Sequence, residues 1–213
     1  MDLHEDDIRL PERRVLHAYV AVPAGRVALT LYWHHGSPNI GQPPVPLLPL
    51  ADELGIRFVS HTRPGYTGSD RARDRRVVDV APDAATVLDH LGVERFVSMG
   101  HSGGGSHSLA LAARDPRCVG ALAISGLAPI DAEGLDFVDD DVAATHPWGF
   151  DPAGVGVPTV LLHGARDRMV PADHSRWLAG VIPDADLRVV DAGHLSVMRF
   201  VEPAIRDLLS RLA

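Results

Sequence analysis

Along this chain, apolar runs rich in β-branched residues alternate with longer stretches whose apolar positions recur at helical spacing. That alternation favours a mainly parallel sheet with helices on both faces, an α/β architecture. Strands are expected at residues 15–22, 27–34, 56–61, 95–99, 120–125, 159–163 and 187–190, and helices at 46–54, 79–91, 103–114, 172–181 and 203–212. The first two strands, separated by turn residues at 23–25, read as antiparallel openers. Gly55 can close the first helix in a left-handed conformation. Asp79 can cap the second, where Pro82 is tolerated because the first turn lacks internal N–H bonds. Val80, Ala84, Val87, Leu88 and Leu91 form its apolar stripe, and Gly92 ends it.

With 213 residues, 46% of them hydrophobic, the chain can bury one sizeable core, so a single domain over 1–213 is expected. The formal net charge of −8 comes without Lys/Arg blocks. A nucleic-acid groove or a basic membrane patch therefore has no electrostatic footing, and a small neutral substrate is favoured. One cysteine, Cys118, rules out an internal disulfide framework and a thiolate zinc cluster. Residues 1–14 lack the apolar run of a signal peptide, and no stretch reaches the ~18 apolar residues of a membrane span. A cytoplasmic protein is the expectation.

Gly100-His101-Ser102-Gly103-Gly104 fits G-x-S-x-G and falls between an expected strand and an expected helix. A serine on so tight a turn has strained backbone angles, and the residues two before and two after it must be tiny, which gives Gly100 and Gly104 a steric reason. The helix that follows points free N–H groups and its positive end at the serine, making the Gly103 amide a natural oxyanion donor. A flexible loop that merely contains serines at 102, 106 and 108 is the plainer alternative. The flanking strand and helix argue against it.

Met99-Gly100-His101-Ser102-Gly103-Gly104 resembles the nucleophile elbow of the α/β-hydrolase family, and the resemblance extends over nearly the whole chain. His34-His35-Gly36-Ser37-Pro38 is similar to the family's H-G-x-P loop, which implies that the Ser37 amide supplies the second oxyanion donor. Arg63-Pro64-Gly65-Tyr66-Thr67-Gly68-Ser69 resembles its R-P-G-x-G-x-S loop, although Thr67 stands where glycine is frequent and His61 where an acid is often found. A structural role is expected for this loop, with substrate contact by Arg63 or Tyr66 as the alternative.

A serine hydroxyl needs a base to take its proton, and the base needs a carboxylate to fix its tautomer. Twelve histidines compete for the first role. His194, in Asp191-Ala192-Gly193-His194 just ahead of the final helix, resembles the family's catalytic histidine. His34, His35, His101, His107 and His163 lie on or beside strands and read as structural. His101 is the rival by proximity, but a side chain next to the serine on the elbow points away from its approach. For the acid, the resemblance implies Asp167, in the G-x-x-D segment Gly164-Ala165-Arg166-Asp167. Asp131 is the alternative because some members carry the acid there, and Asp191 reads as a turn residue. The order Ser, Asp, His is that of this fold.

Acyl transfer follows from these roles, and no metal or organic cofactor is required. Gly36, His101 and Trp148 are expected at the substrate pocket. Family members commonly insert a helical cap after the strand that follows the elbow helix, whereas here residues 126–157 have loop composition, with Asp139-Asp140-Asp141, Pro147, Gly149, Pro152, Gly154 and Gly156. A capless hydrolase, with a short replacement loop at about 127–157, is expected; its exposed apolar surface would favour homodimers. The alternative is an ordinary loop that closes the pocket with Trp148 and Phe150. Hydrolysis of small or medium carboxylic esters is the leading function, with aminopeptidase, lactonase, perhydrolase or carbon–carbon hydrolase activity as further outlets. Relatives with dehalogenase or epoxide-hydrolase chemistry carry aspartate where Ser102 stands. A non-catalytic ligand-binding protein is the alternative of a different class.

Overall fold

The chain is described here by a computed structural model covering residues 1–129 and 147–212. Its strands are β1 (Asp2–Arg9), β2 (Val15–Val22), β3 (Leu29–His34), β4 (Ile56–His61), β5 (Phe96–His101), β6 (Cys118–Ile124), β7 (Thr159–Gly164) and β8 (Ala185–Val190). Helices among the described residues are α1 (Leu48–Leu54), α2 (Val80–His90), α3 (Gly103–Arg114), α4 (Asp173–Val181) and α5 (Val201–Arg211). The strands form one sheet in the order β1-β2-β4-β3-β5-β6-β7-β8. β2 runs antiparallel to both of its neighbours, and every pair from β4 to β8 is parallel.

Alternation along the strands divides the core into two layers. Tyr32, Val59, Phe96, Ala121 and Leu161 face one side and pack with Ala84, Val87 and Leu88 of α2, Leu109 of α3 and Leu178 of α4. Their neighbours Leu31, Trp33, Phe58, Val97 and Leu122 face the other, against Leu50 of α1 and Ile205 and Leu208 of α5. The parallel strands are buried on both faces because helices cover both, which explains why they read as unbroken apolar runs. All the parallel strands therefore end at one edge, where the loops after β3, β5, β7 and β8 meet.

Several sequence expectations change. β1 has no counterpart among the expected strands: only Ile8 of it is buried, so it carries no apolar alternation, as befits a charged edge strand. β2 and β3 do run in opposite directions but are not neighbours, since β4 lies between them. Asp79 does not cap α2 through its side chain. Its carboxylate instead accepts from the Arg76 amide at 2.7 Å and closes the preceding 3₁₀ turn, Val77–Asp79. Gly55 does end α1 in the left-handed region, with φ 66°. The middle of the expected cap-replacement loop, and Asp131 with it, lies outside the described residues. No helix among the described residues is long and apolar enough to cross a membrane.

Candidate active site

β5 ends at His101 and α3 begins at Gly103, so Ser102 alone turns the chain from strand to helix. Its φ of 57° and ψ of −128° lie where a side chain is strained. The conformation is fixed by its amide, which donates to the Ile124 carbonyl at 2.9 Å, and by its carbonyl, which accepts from the Gly105 amide at 2.8 Å. A Cβ on Gly100 would stand 1.9 Å from the Gly104 carbonyl oxygen, and one on Gly104 would stand 2.1 Å from that of His34. Only glycine lets α3 approach the ends of β3 and β5 so closely. The first amides of α3 have no carbonyl one turn earlier to bind, so the helix presents donors and its positive end at Ser102.

The loop after β3 lies directly against this serine: a Cβ on Gly36 would be 3.3 Å from Ser102 Cβ. Its shape is set from behind by Arg63, which is 1% exposed. The guanidinium donates to the His35 carbonyl, to the Gly36 carbonyl at 3.3 Å and to Ser37 Oγ at 3.3 Å. His35 donates from Nδ1 to the Gly36 carbonyl at 2.7 Å and accepts the Arg63 amide on Nε2 at 3.0 Å. Tyr66 Oη adds a bond to Ser37 Oγ at 3.0 Å. Because the peptide unit is planar and its C=O and N–H point opposite ways, holding the Gly36 carbonyl also sets the direction of the Ser37 N–H. The Arg63 loop is thus structural in its described contacts, as the sequence suggests.

At the ends of β7 and β8 the expected acid and base meet. His194 Nδ1 donates to Asp167 Oδ2 at 2.7 Å, and the Asp167 side chain is fully buried. Burial by itself would raise the Asp167 pKa, but the net shift is downward. The Val170 amide, His194 and the Met169 amide all donate to its carboxylate and keep it ionised. The buried Ser125 hydroxyl, though without a partner of good hydrogen-bond geometry, also favours the anion. The acid and base loops are laced together: the Arg166 amide donates to the Ala192 carbonyl at 2.8 Å, and its guanidinium pairs with Asp191 at 2.8 Å. A Cβ on Gly164 would stand 2.5 Å from the Ala192 carbonyl oxygen, so glycine is needed there too.

Asp167 and His194 are therefore joined, and Ser102 stands beside them at the same sheet edge through His101, whose ring centroid is 4.8 Å from that of His194. The Ser102 hydroxyl forms no hydrogen bond with another described residue, so the hydroxyl–imidazole link is open in this structure. Trp148 is 2% exposed and stacks on Phe150 within the core layer of α2 and α3, so its described contacts are those of a packing residue. His34 and His107 are buried, and His107 Nδ1 donates to the Gly103 carbonyl at 2.7 Å.

His163 supports the acid from below, donating from Nε2 to the Val170 carbonyl at 2.8 Å and accepting the Ser175 hydroxyl on Nδ1 at 2.6 Å. Its burial pushes its pKa down and keeps it neutral beside the carboxylate. No local motif encodes these particular contacts: His163 bonds the Val170 carbonyl and the Ser175 hydroxyl, and Arg63 the carbonyls of the loop after β3. No group of three or more His, Cys, Asp or Glu among the described residues is placed to hold a metal ion.

Comparison with known proteins bears on the fold. The model of the alpha/beta hydrolase fold family matches residues 30–153. A bifunctional esterase/perhydrolase of Acinetobacter calcoaceticus is 32% identical over 108 residues, which is 49% of this chain and 39% of that protein. The chain thus matches well under half the length of this curated relative. A thermophilic esterase from Thermogutta terrifontis superposes with a TM-score of 0.76 at 20% identity, over 98% of this chain and 99% of that one. The enol-lactonase from Burkholderia xenovorans LB400 superposes with a TM-score of 0.77 at 17% identity, over 96% and 100%. At these identities the two structures share a fold with the chain.

Proposed function

The chain belongs to the alpha/beta hydrolase fold family, and we propose that it is a serine hydrolase that cleaves small and medium carboxylic esters through Ser102, His194 and Asp167. The observation that carries this reading is the 2.7 Å bond from His194 Nδ1 to a buried, ionised Asp167, at the sheet edge where Ser102 occupies a strained turn. Giving Nδ1–H to the acid leaves the His194 Nε2 lone pair as the base. It takes the Ser102 proton as Oγ adds to the ester carbonyl, while the Ser37 and Gly103 amides receive the negative charge on oxygen. His194 then returns the proton to the departing alcohol. Water, deprotonated by the same nitrogen, adds to the acyl-serine and releases the acid.

Apolar substrate groups are supported by two exposed side chains on the acid and base loops: Met169, two residues after Asp167, and Leu195, next to His194, are 68% and 73% exposed. The open hydroxyl–imidazole link is compatible with turnover, because such bonds often tighten only when substrate binds. Hydrolysis of p-nitrophenyl acetate is the test. Turnover is expected to fall by roughly 10⁴-fold or more in Ser102→Ala and in His194→Ala. Full activity in His194→Ala ends the assignment, and a folded wild-type protein inert towards esters points to a ligand-binding member of the family. A second reading is perhydrolysis, in which hydrogen peroxide replaces water as acceptor of the acyl group. The name of the Acinetobacter relative favours it, and peracid formed from an ester and peroxide would reveal it.

A further inference from the structure

His101 has its side chain at the junction of three loops. Its Nε2 lies 2.9 Å from the His194 carbonyl oxygen, and the two rings are 4.8 Å apart at an interplanar angle of 44°. On its other side is the loop after β3, where a Cβ on Gly36 would come within 3.6 Å of His101 Nδ1. The imidazole therefore bridges the elbow and the loop of the base, with the loop of the oxyanion donor so near that a side chain at Gly36 would meet it. Other ties of the base loop run through its neighbours: Gly193 donates to Ser196 Oγ, and Ala192 accepts from Arg166. Among the described residues, the bond from His101 is the one that holds the His194 carbonyl.

We propose that His101 is a positioning residue, which ties the main chain of His194 to the nucleophile turn as the Nε2–H tautomer. This rests on the reading of His194 as the base. A carbonyl can only accept, so the bond requires the proton on His101 Nε2 and leaves Nδ1 bare towards Gly36. His194 needs the opposite form, with its proton on Nδ1 towards Asp167. The two facing rings thus hold opposite tautomers, His101 fixed by the His194 carbonyl and His194 by the Asp167 carboxylate. Burial is the largest influence on His101 and pushes its pKa down, ahead of the opposing bond to the His194 carbonyl. A neutral ring there avoids repelling the imidazolium that His194 becomes during turnover. His101 thus sets where the base stands.

The test joins nitrogen-15 spectra of histidine-labelled protein to ester kinetics of His101→Leu and His101→Gln. Wild-type His101 is expected as the Nε2–H tautomer, with that proton slow to exchange. His101→Leu should lower kcat by about 10²-fold, the usual cost of a small misplacement of a reacting group, while KM holds. His101→Gln should recover most of the loss, because its side-chain amide presents N–H at a similar reach. An Nδ1–H tautomer in wild type, or wild-type kcat in a folded His101→Leu, overturns the tether. Should His101→Leu fail to fold, the wild-type spectrum and the Gln variant still decide. If wild type hydrolyses no ester, the proposed function fails on that measurement alone, and the tautomer of His101 still decides for or against the tether.

Discussion

Arg63 is the residue whose burial has the clearest chemical purpose. It is 1% exposed, with its donors on two successive carbonyls of the loop after β3. Charge-assisted bonds of this kind are stiff, so the Gly36–Ser37 peptide has little freedom to rotate. Arg63→Met, which keeps the stem and removes the donors, is expected to lower kcat by about 10² to 10³-fold, as loss of an oxyanion donor does. KM should change little, and a thermal melt of the variant separates this effect from unfolding. Residue by residue, the candidates Ser102, Asp167 and His194 could be picked out because Ser102 sits in a G-x-S-x-G turn and the segments around Asp167 and His194 resemble the family's acid and base loops. Arg63, His101 and His163 were not legible as positioning groups. The partners of Arg63 and His101 are carbonyls distant in sequence, whereas His163 bonds the Val170 carbonyl and the Ser175 hydroxyl further along its own segment; no motif encodes these meetings.

Among the elements, α3 depends most on a single atom's absence. It begins immediately after Ser102 and passes so near the end of β3 that a methyl on Gly104 would overlap the His34 and His35 carbonyl oxygens, at 2.1 and 2.6 Å. Neither contact is the yielding tip of a side chain, so the helix itself must shift. Gly104→Ala is expected to cost about 3 kcal/mol or more, at the upper end of overpacking penalties, measured as a lower urea midpoint. Elements with a buried face were readable: β2, β4 and α3 fall at the residues their patterning indicates. β1 was not, because an edge strand with one buried side chain has no alternation to read. The Asp79 cap was assigned to the wrong element because a cap motif does not distinguish a 3₁₀ turn from the helix that continues it.

For the molecule as a whole, buried imidazoles set the response to acid. Burial is the leading cause of depressed pKa values at His34, His61, His101, His163 and His174, and brings His61 to about 3. In the unfolded chain these rings take up protons near ~6.5. The unfolded state therefore binds more protons once the pH drops below that value, and each ring withdraws stability until its folded pKa is reached. His17, raised by Asp7, and Asp83, raised by burial, act in the opposite sense. Asp167, depressed in the fold, adds its own loss only as the pH falls below the ordinary carboxylate range. The melting temperature should accordingly fall between pH 7 and pH 5, and a flat profile would mean that these rings are not buried as described. The fold that buries them also gathers the ends of β5, β7 and β8 at one edge, and on that convergence the proposed chemistry depends. The most direct measurement is the intact mass of the folded protein after reaction with a fluorophosphonate. The expected result is one adduct, mapped to Ser102, absent from Ser102→Ala and much slower to form in His194→Ala; a folded wild-type protein that gains no mass, or gains it at another residue, contradicts it.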